Sequence, residues 1–160
     1  MTRALVHCYY RHFTNDPDIF LDSQPFVPYQ YSVEHCDAYW EKQRSRNRVH
    51  LAVMLEDRPI GEILLKHIDK ENRTCTLSIH LQNDAVKNKG YGTAAEKLAL
   101  EYAVKVLGMK TVLADALIKN KRSQHVLEKV GFHFVRKDEM FCYYQYQKAP
   151  EAGPEVCEGA

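Results

Sequence analysis

The chain has 160 residues and a mass of 18.6 kDa, the size of one domain around one core. Its 45% hydrophobic, 27% charged and 11% aromatic composition is that of a soluble globular protein and argues against disorder. Lys+Arg total 22 against 21 for Asp+Glu, and the resulting net charge of +1 gives no global field, so neither nucleic acid nor an anionic membrane is expected as a partner.

Apolar runs such as Leu51 to Leu55 fall far short of the roughly 18–20 residues that span a membrane, and the polar stretch after Met1-Thr2-Arg3 lacks the apolar heart of a secretory leader. Cysteines stand at positions 8, 36, 75, 142 and 157; their odd number and wide scatter fit a reduced, cytoplasmic chain better than a disulfide framework. His7-Cys8 and His35-Cys36 are adjacent pairs, the wrong spacing for structural zinc, so no metal is expected.

In chain order, Ala4 to Phe13 reads as a helix, with Leu5, Tyr9 and Phe13 on one stripe and Asn15-Asp16-Pro17 as its stop. After an irregular aromatic stretch, Ser32 is placed to cap a second helix running through Tyr39, Trp40 and Lys42. The period then changes to two. His50–Leu55, Ile60–Ile68 and Thr74–Gln82 read as an antiparallel meander, with turns at Glu56–Pro59 and Asp69–Arg73. Thr93 to Leu107 reads as a long helix with Leu98, Tyr102 and Val106 along one side beside Ala95, Ala99 and Ala103, and Gly108 as its stop. A strand Thr111–Leu117 follows. Asn120 caps a short helix to Val130, ended by Gly131, and Phe132–Arg136 with Met140–Tyr146 closes as a hairpin. These elements make a mixed α/β sheet in a single domain over residues 1–147, with 148–160 as a loose tail.

The informative segment is Gln82-Asn-Asp-Ala-Val-Lys87-Asn88-Lys89-Gly90-Tyr91-Gly92-Thr93, where a strand ends, a Gly-x-Gly turn follows and a long helix opens. Such a junction leaves backbone N–H groups unpaired at the positive end of a helix dipole, and glycine lets a phosphate approach the main chain. A tight strand–helix turn also needs glycine for purely steric reasons, so the turn alone does not decide. The dinucleotide fingerprint is absent because the strands before it read as antiparallel, and no Gly-Lys-Ser/Thr makes a Walker loop.

A second element follows the next strand: Asn120-Lys-Arg-Ser123, then Leu127-Glu128-Lys129-Val-Gly131-Phe132. With both in place the sequence resembles the GNAT superfamily of acyl-CoA-dependent N-acetyltransferases, most closely its ribosomal-protein N-acetyltransferase branch. Lys87-Asn-Lys-Gly90-Tyr-Gly92 matches the family's Gln/Arg-x-x-Gly-x-Gly/Ala motif except at its first residue. Asn120, Ser123, Glu128, Lys129, Gly131 and Phe132 match its later motif. The likeness is good from about Leu51 to Tyr146.

The resemblance implies a mostly antiparallel sheet flanked by helices, and acetyl-CoA as co-substrate. Main-chain N–H groups of Asn88, Lys89, Gly90, Tyr91, Gly92 and Thr93, with Lys87 adding charge, would hold the diphosphate. The strand end at His80, Leu81 and Gln82 would pair with the pantetheine arm. Asn120 would bond that arm, beside its role as an N-cap, and Ser123 would lie near the thioester sulfur. The acceptor would be a primary amine, a protein N-terminus or a small amine, attacking directly in a ternary complex by a monomer or homodimer.

Three departures bear on mechanism. Thr76 stands where many members carry a catalytic glutamate, Leu127 replaces a tyrosine that often acts as general acid, and the usual opening strand is absent. A turn centred on Glu71 sets Glu62 opposite His80, a pair that would deprotonate the amine, although a surface Glu–His pair is the simpler account. Ser123 or Tyr144, with Tyr143 beside it, would protonate the thiolate. Tyr9, Tyr10, Phe26, Tyr29, Tyr31, Tyr39 and Trp40 fall where the family builds its acceptor side, as do Glu34, Asp37 and Glu41; packing and a polar helix face also explain them. The rival reading is a non-catalytic acyl-CoA-binding or sensor module, which Thr76 and Leu127 favour.

Overall fold

The structure is a computed structural model that describes residues 1–17 and 25–149; most of the expected tail, from 150 on, lies outside the described residues. Thr2 opens the first helix, α1 (Arg3–Tyr10), its hydroxyl accepting from Leu5 N at 3.2 Å. The helix ends short of the expected Phe13 because the chain turns toward the sheet, where Thr14 N donates to Gln82 O at 2.9 Å. Ser32 caps α2 (Val33–Arg44) through His35 N, as its position predicts.

The meander follows as β1 (Val49–Leu55), β2 (Arg58–Asp69) and β3 (Thr74–Leu81). The β2–β3 turn pairs Asp69 with Thr74, and a bulge around His67 (φ 50°) shifts the ladder so that Lys66 faces Thr76 and Glu62 faces His80. Then come α3 (Tyr91–Lys105), β4 (Thr111–Leu117), α4 (Lys121–Val130), β5 (His133–Lys137) and β6 (Phe141–Gln147). Gly131 ends α4 in the left-handed region at φ 108°.

Six strands form one sheet in the order β1-β2-β3-β4-β6-β5, antiparallel throughout except between β3 and β4. One face packs on α3 and α4: Ile63 and Leu65, Cys75 and Leu77, Val112, Ala114 and Ala116, and Cys142 and Tyr144 alternate inward to meet Ala99, Ala103, Leu127 and Val130. The other face is covered over β2 by α1, which also packs on α2. Within α3 the alanine stripe faces the core, whereas Leu98 and Val106 are 67% and 64% exposed. The small side chains bring the helix axis close to the sheet, which leaves the larger ones on the flank.

The parallel pair β3–β4 is short. Only Thr74, Cys75 and Thr76 pair with Thr111, Val112 and Leu113; beyond Thr76 the two strands part.

Candidate functional site

The split exposes main chain on β3. Gln82 N donates to Ile60 O at 2.8 Å, which fixes the alternation of this antiparallel ladder. His80 turns its N–H and C=O groups toward β2, Gln82 its N–H, and Ile79 and Leu81 turn theirs into the split. Gln82 itself is used up: its N–H bonds Ile60, its carbonyl takes Thr14 N, and its buried amide donates to Tyr9 O at 2.7 Å. Of the expected strand-end residues, then, Leu81, joined by Ile79, offers main chain to an extended ligand, and Gln82 does not.

Just past this edge, Asn88 (φ 59°) and Gly90 (φ 82°) adopt left-handed conformations and turn the chain into α3. Gly90 is the N-cap and supplies no side chain, and Ala94 N is the first in the helix to find a main-chain acceptor, Gly90 O at 3.0 Å. The N–H groups of Tyr91, Gly92 and Thr93 are left at the helix end, an anion cradle by construction. A Cβ at Gly90 would meet nothing within 4 Å, so the space above the turn is open. Lys87 does not point there: its ammonium sits 2.8 Å from both Asp16 and Asp84, which outweigh its burial and raise its pKa. Lys87 braces the loop on the chain after α1.

Across the split, Asn120 Oδ1 accepts from Ser123 N at 3.1 Å and caps α4. The cap uses the Asn120 carbonyl oxygen and sets Ser123 in the first turn of α4.

On the opposite sheet face, Glu62 is 2% exposed and collects four partners. Tyr10 Oη donates to Oε1 at 2.8 Å, Tyr39 Oη to Oε2 at 2.9 Å, His50 Nε2 lies 2.8 Å from Oε2, and His80 Nδ1 lies 3.8 Å from Oε1. Burial pushes the carboxyl up, but the hydrogen bonds from His50, His80, Tyr10 and Tyr39 together hold it at about 2. It is an ionised, immobile charge. His80 is the most exposed member of the group, its side chain 65% in solvent.

A family model described as an acetyltransferase (GNAT) domain matches residues 5–133. The chain belongs to the GNAT acetyltransferase family. It is 26% identical over 124 residues to spermidine N(1)-acetyltransferase of Escherichia coli K12, covering 76% of this chain and 66% of that protein. It is 27% identical over 119 residues to a probable N-acetyltransferase, YjcK, of Bacillus subtilis, covering 65% and 66%. The chain thus spans just under two thirds of the length of these relatives. Among solved structures, a variant of spermidine N-acetyltransferase SpeG from Vibrio cholerae superposes with a TM-score of 0.72 at 16% identity, covering 92% of each chain. Campylobacter jejuni N-acetyltransferase PseH in complex with acetyl coenzyme A superposes at 0.64 and 18%, covering 72% and 79%. The mixed sheet flanked by helices is the fold of these proteins.

Other expected residues of this GNAT chain lie elsewhere. Tyr144, expected as a donor to the thiolate, is buried on the core face with its hydroxyl 3.5 Å from Glu128, and Tyr143 beside it donates to Asp138 at 2.6 Å. Burial pushes the Cys75 thiol up to about 11, which leaves it unreactive. Asp37 is engaged by Arg3 and His7, whose hydrogen bonds hold it at about 2, and Glu41 pairs with Arg44. Rings of Tyr9, Tyr10, Phe13, Tyr29 and Tyr39 pack on one another, but of the expected aromatic group Tyr9 alone is buried; Tyr10, Tyr29, Tyr31, Tyr39 and Trp40 are half-buried and Phe26 is exposed. Sequence reasoning missed His50 as a partner of Glu62. The signal was there: Ala52 pairs with Glu62, and His50, two residues on, shares its face.

Proposed function

We propose that this chain transfers an acetyl group from acetyl-CoA to a primary amine. The observation that carries the reading is the joint geometry of the cradle and the split: unpaired N–H groups at the Gly90 turn lie next to the free main chain of Leu81 and Ile79. A diphosphate would bind the first, and the pantetheine arm would add as a strand along the second. Asn120 would steady the arm and Ser123 would stand at the sulfur.

His80 is the base in this scheme and Glu62 the positioning residue behind it. A carboxylate held at about 2 and sealed by four partners is a poor proton acceptor, but from 3.8 Å it orients the His80 ring. The amine nitrogen attacks the thioester carbonyl carbon, the C–S bond breaks, His80 holds the proton released by the amine, and the thiolate takes one from Ser123 or water. Holding both substrates in line supplies much of the rate. Among amines, polyamines are the first class to try, on the strength of the spermidine acetyltransferase likeness; protein N-termini follow.

The test is release of free CoA from acetyl-CoA in the presence of spermidine, other small amines and peptides with free N-termini. Amine-dependent release with an acetylated product supports the transferase. Tight binding of acetyl-CoA without release on any acceptor supports the sensor module instead, the reading favoured by Leu127 lying buried in the core where a tyrosine acid would stand.

A further inference from the structure

One buried carboxylate has no part in the scheme above. Glu96 lies in α3, is 2% exposed, and its Oε2 is enclosed without a hydrogen-bond partner. Its buried neighbours on the helix, Ala95, Ala99, Leu100 and Ala103, are all apolar, so a hydrocarbon would suit the position better by packing alone. Burial pushes the Glu96 carboxyl up to about 7.

Position on the helix points to the missing partner. Residues four apart stack on one face, so Glu96 sits one turn below Gly92. A helical side chain leans toward the N-terminus and covers the turn before its own. The Glu96 carboxyl is thereby carried toward Gly92, which has no side chain to fill that place and whose Cβ position is 3.6 Å from Leu81 Cδ1. Leu81 in turn borders the split. Tyr91, Ala94, Leu98 and Tyr102 form the other flank of α3, facing a groove beside β1, and Glu96 is not among them. Glu96 thus shares the flank of α3 that carries Gly92, next to Leu81.

We propose that Glu96 is a coenzyme-binding residue whose carboxyl pairs with a hydroxyl or amide of the pantetheine arm where the arm leaves the diphosphate. The inference rests on the acetyl-CoA reading of the cradle. A neutral carboxyl fits the place, since an ionised one would repel the diphosphate, and burial favours the neutral form. It donates its proton in a hydrogen bond to an oxygen of the arm.

Calorimetric titration of the full chain with acetyl-CoA, and with ADP, which carries the diphosphate without the arm, tests this. Glu96→Leu is expected to weaken acetyl-CoA binding about tenfold while ADP binding changes less than about twofold; Glu96→Gln, which keeps a donor, stays within about threefold for both. Glu96→Met repeats the comparison if the leucine variant does not fold. Unchanged acetyl-CoA affinity in Glu96→Leu overturns the proposal and leaves the cradle standing. Equal losses for acetyl-CoA and ADP also overturn it, because they mark a structural role. Failure of the unaltered chain to bind acetyl-CoA overturns the coenzyme reading itself.

Discussion

His80 Nδ1 stands 3.8 Å from Glu62 Oε1, directly opposite it in the β2–β3 ladder, with one side chain mostly in solvent and the other sealed. A charge fixed behind an exposed imidazole is an arrangement for holding a proton briefly. His80→Ala should lower kcat about 100-fold with little change in acetyl-CoA affinity, the range for loss of a general base. Glu62→Gln should keep the packing but lower kcat about tenfold and displace the pH–rate profile. Steady-state kinetics across pH measures both, and a rate untouched by either change removes the pair from the mechanism.

Tyr10 and Tyr39 each donate to one oxygen of Glu62. Because the folded carboxyl is held at about 2, below its ordinary 4.5, its contribution to stability is present above pH 4.5 and lost as pH falls through 2. Tyr10→Phe or Tyr39→Phe should cost about 1–2 kcal/mol at pH 7. That deficit should shrink as pH approaches 2, where the unaltered protein loses the same term. Thermal denaturation at a series of pH values reads the difference.

Gly90→Glu places a side chain in the open space above the helix end, at a φ of 82° that an L-residue adopts at a cost of about 1 kcal/mol. The chain should fold with a modestly lower Tm and bind acetyl-CoA at least about 100-fold more weakly, since a carboxylate then occupies the anion's place. Circular dichroism and calorimetry together check the two halves of the expectation.

Glu96 carries a stability cost of its own. Its folded carboxyl is raised from 4.5 to about 7, so the protein is stabilised with respect to this group below pH 4.5 and loses that advantage as pH rises through 7. Glu96→Leu should therefore raise stability by about 3 kcal/mol at pH 8 and far less at pH 4. Denaturant melts at the two pH values provide the measurement.

The parts of this site that are local in sequence were legible in it. Asn120 and Gly131 mark the ends of α4 by chemistry that needs no tertiary context. The Glu62–His80 register follows from a single turn, and it survives because the bulge at His67 compensates for a turn that pairs Asp69 with Thr74. The unread parts depend on partners far along the chain. Lys87 is claimed by Asp16, 71 residues away, and Gln82 by Thr14 and Tyr9, none of which its own neighbourhood announces. Glu96 was hidden differently: a charged residue on a helix reads as part of the solvated face, and only burial reveals otherwise.

The three-residue contact between β3 and β4 has a dynamic consequence. Two halves of the sheet are stitched only at its base and bridged by α3, so without coenzyme the seam is the place where the molecule should breathe most easily. Amide protons of Ile79 and Leu81 would then trade with solvent quickly in the free protein and slowly once an acyl carrier is laid between the strands. Deuterium uptake would thus register occupancy before any acceptor has been found.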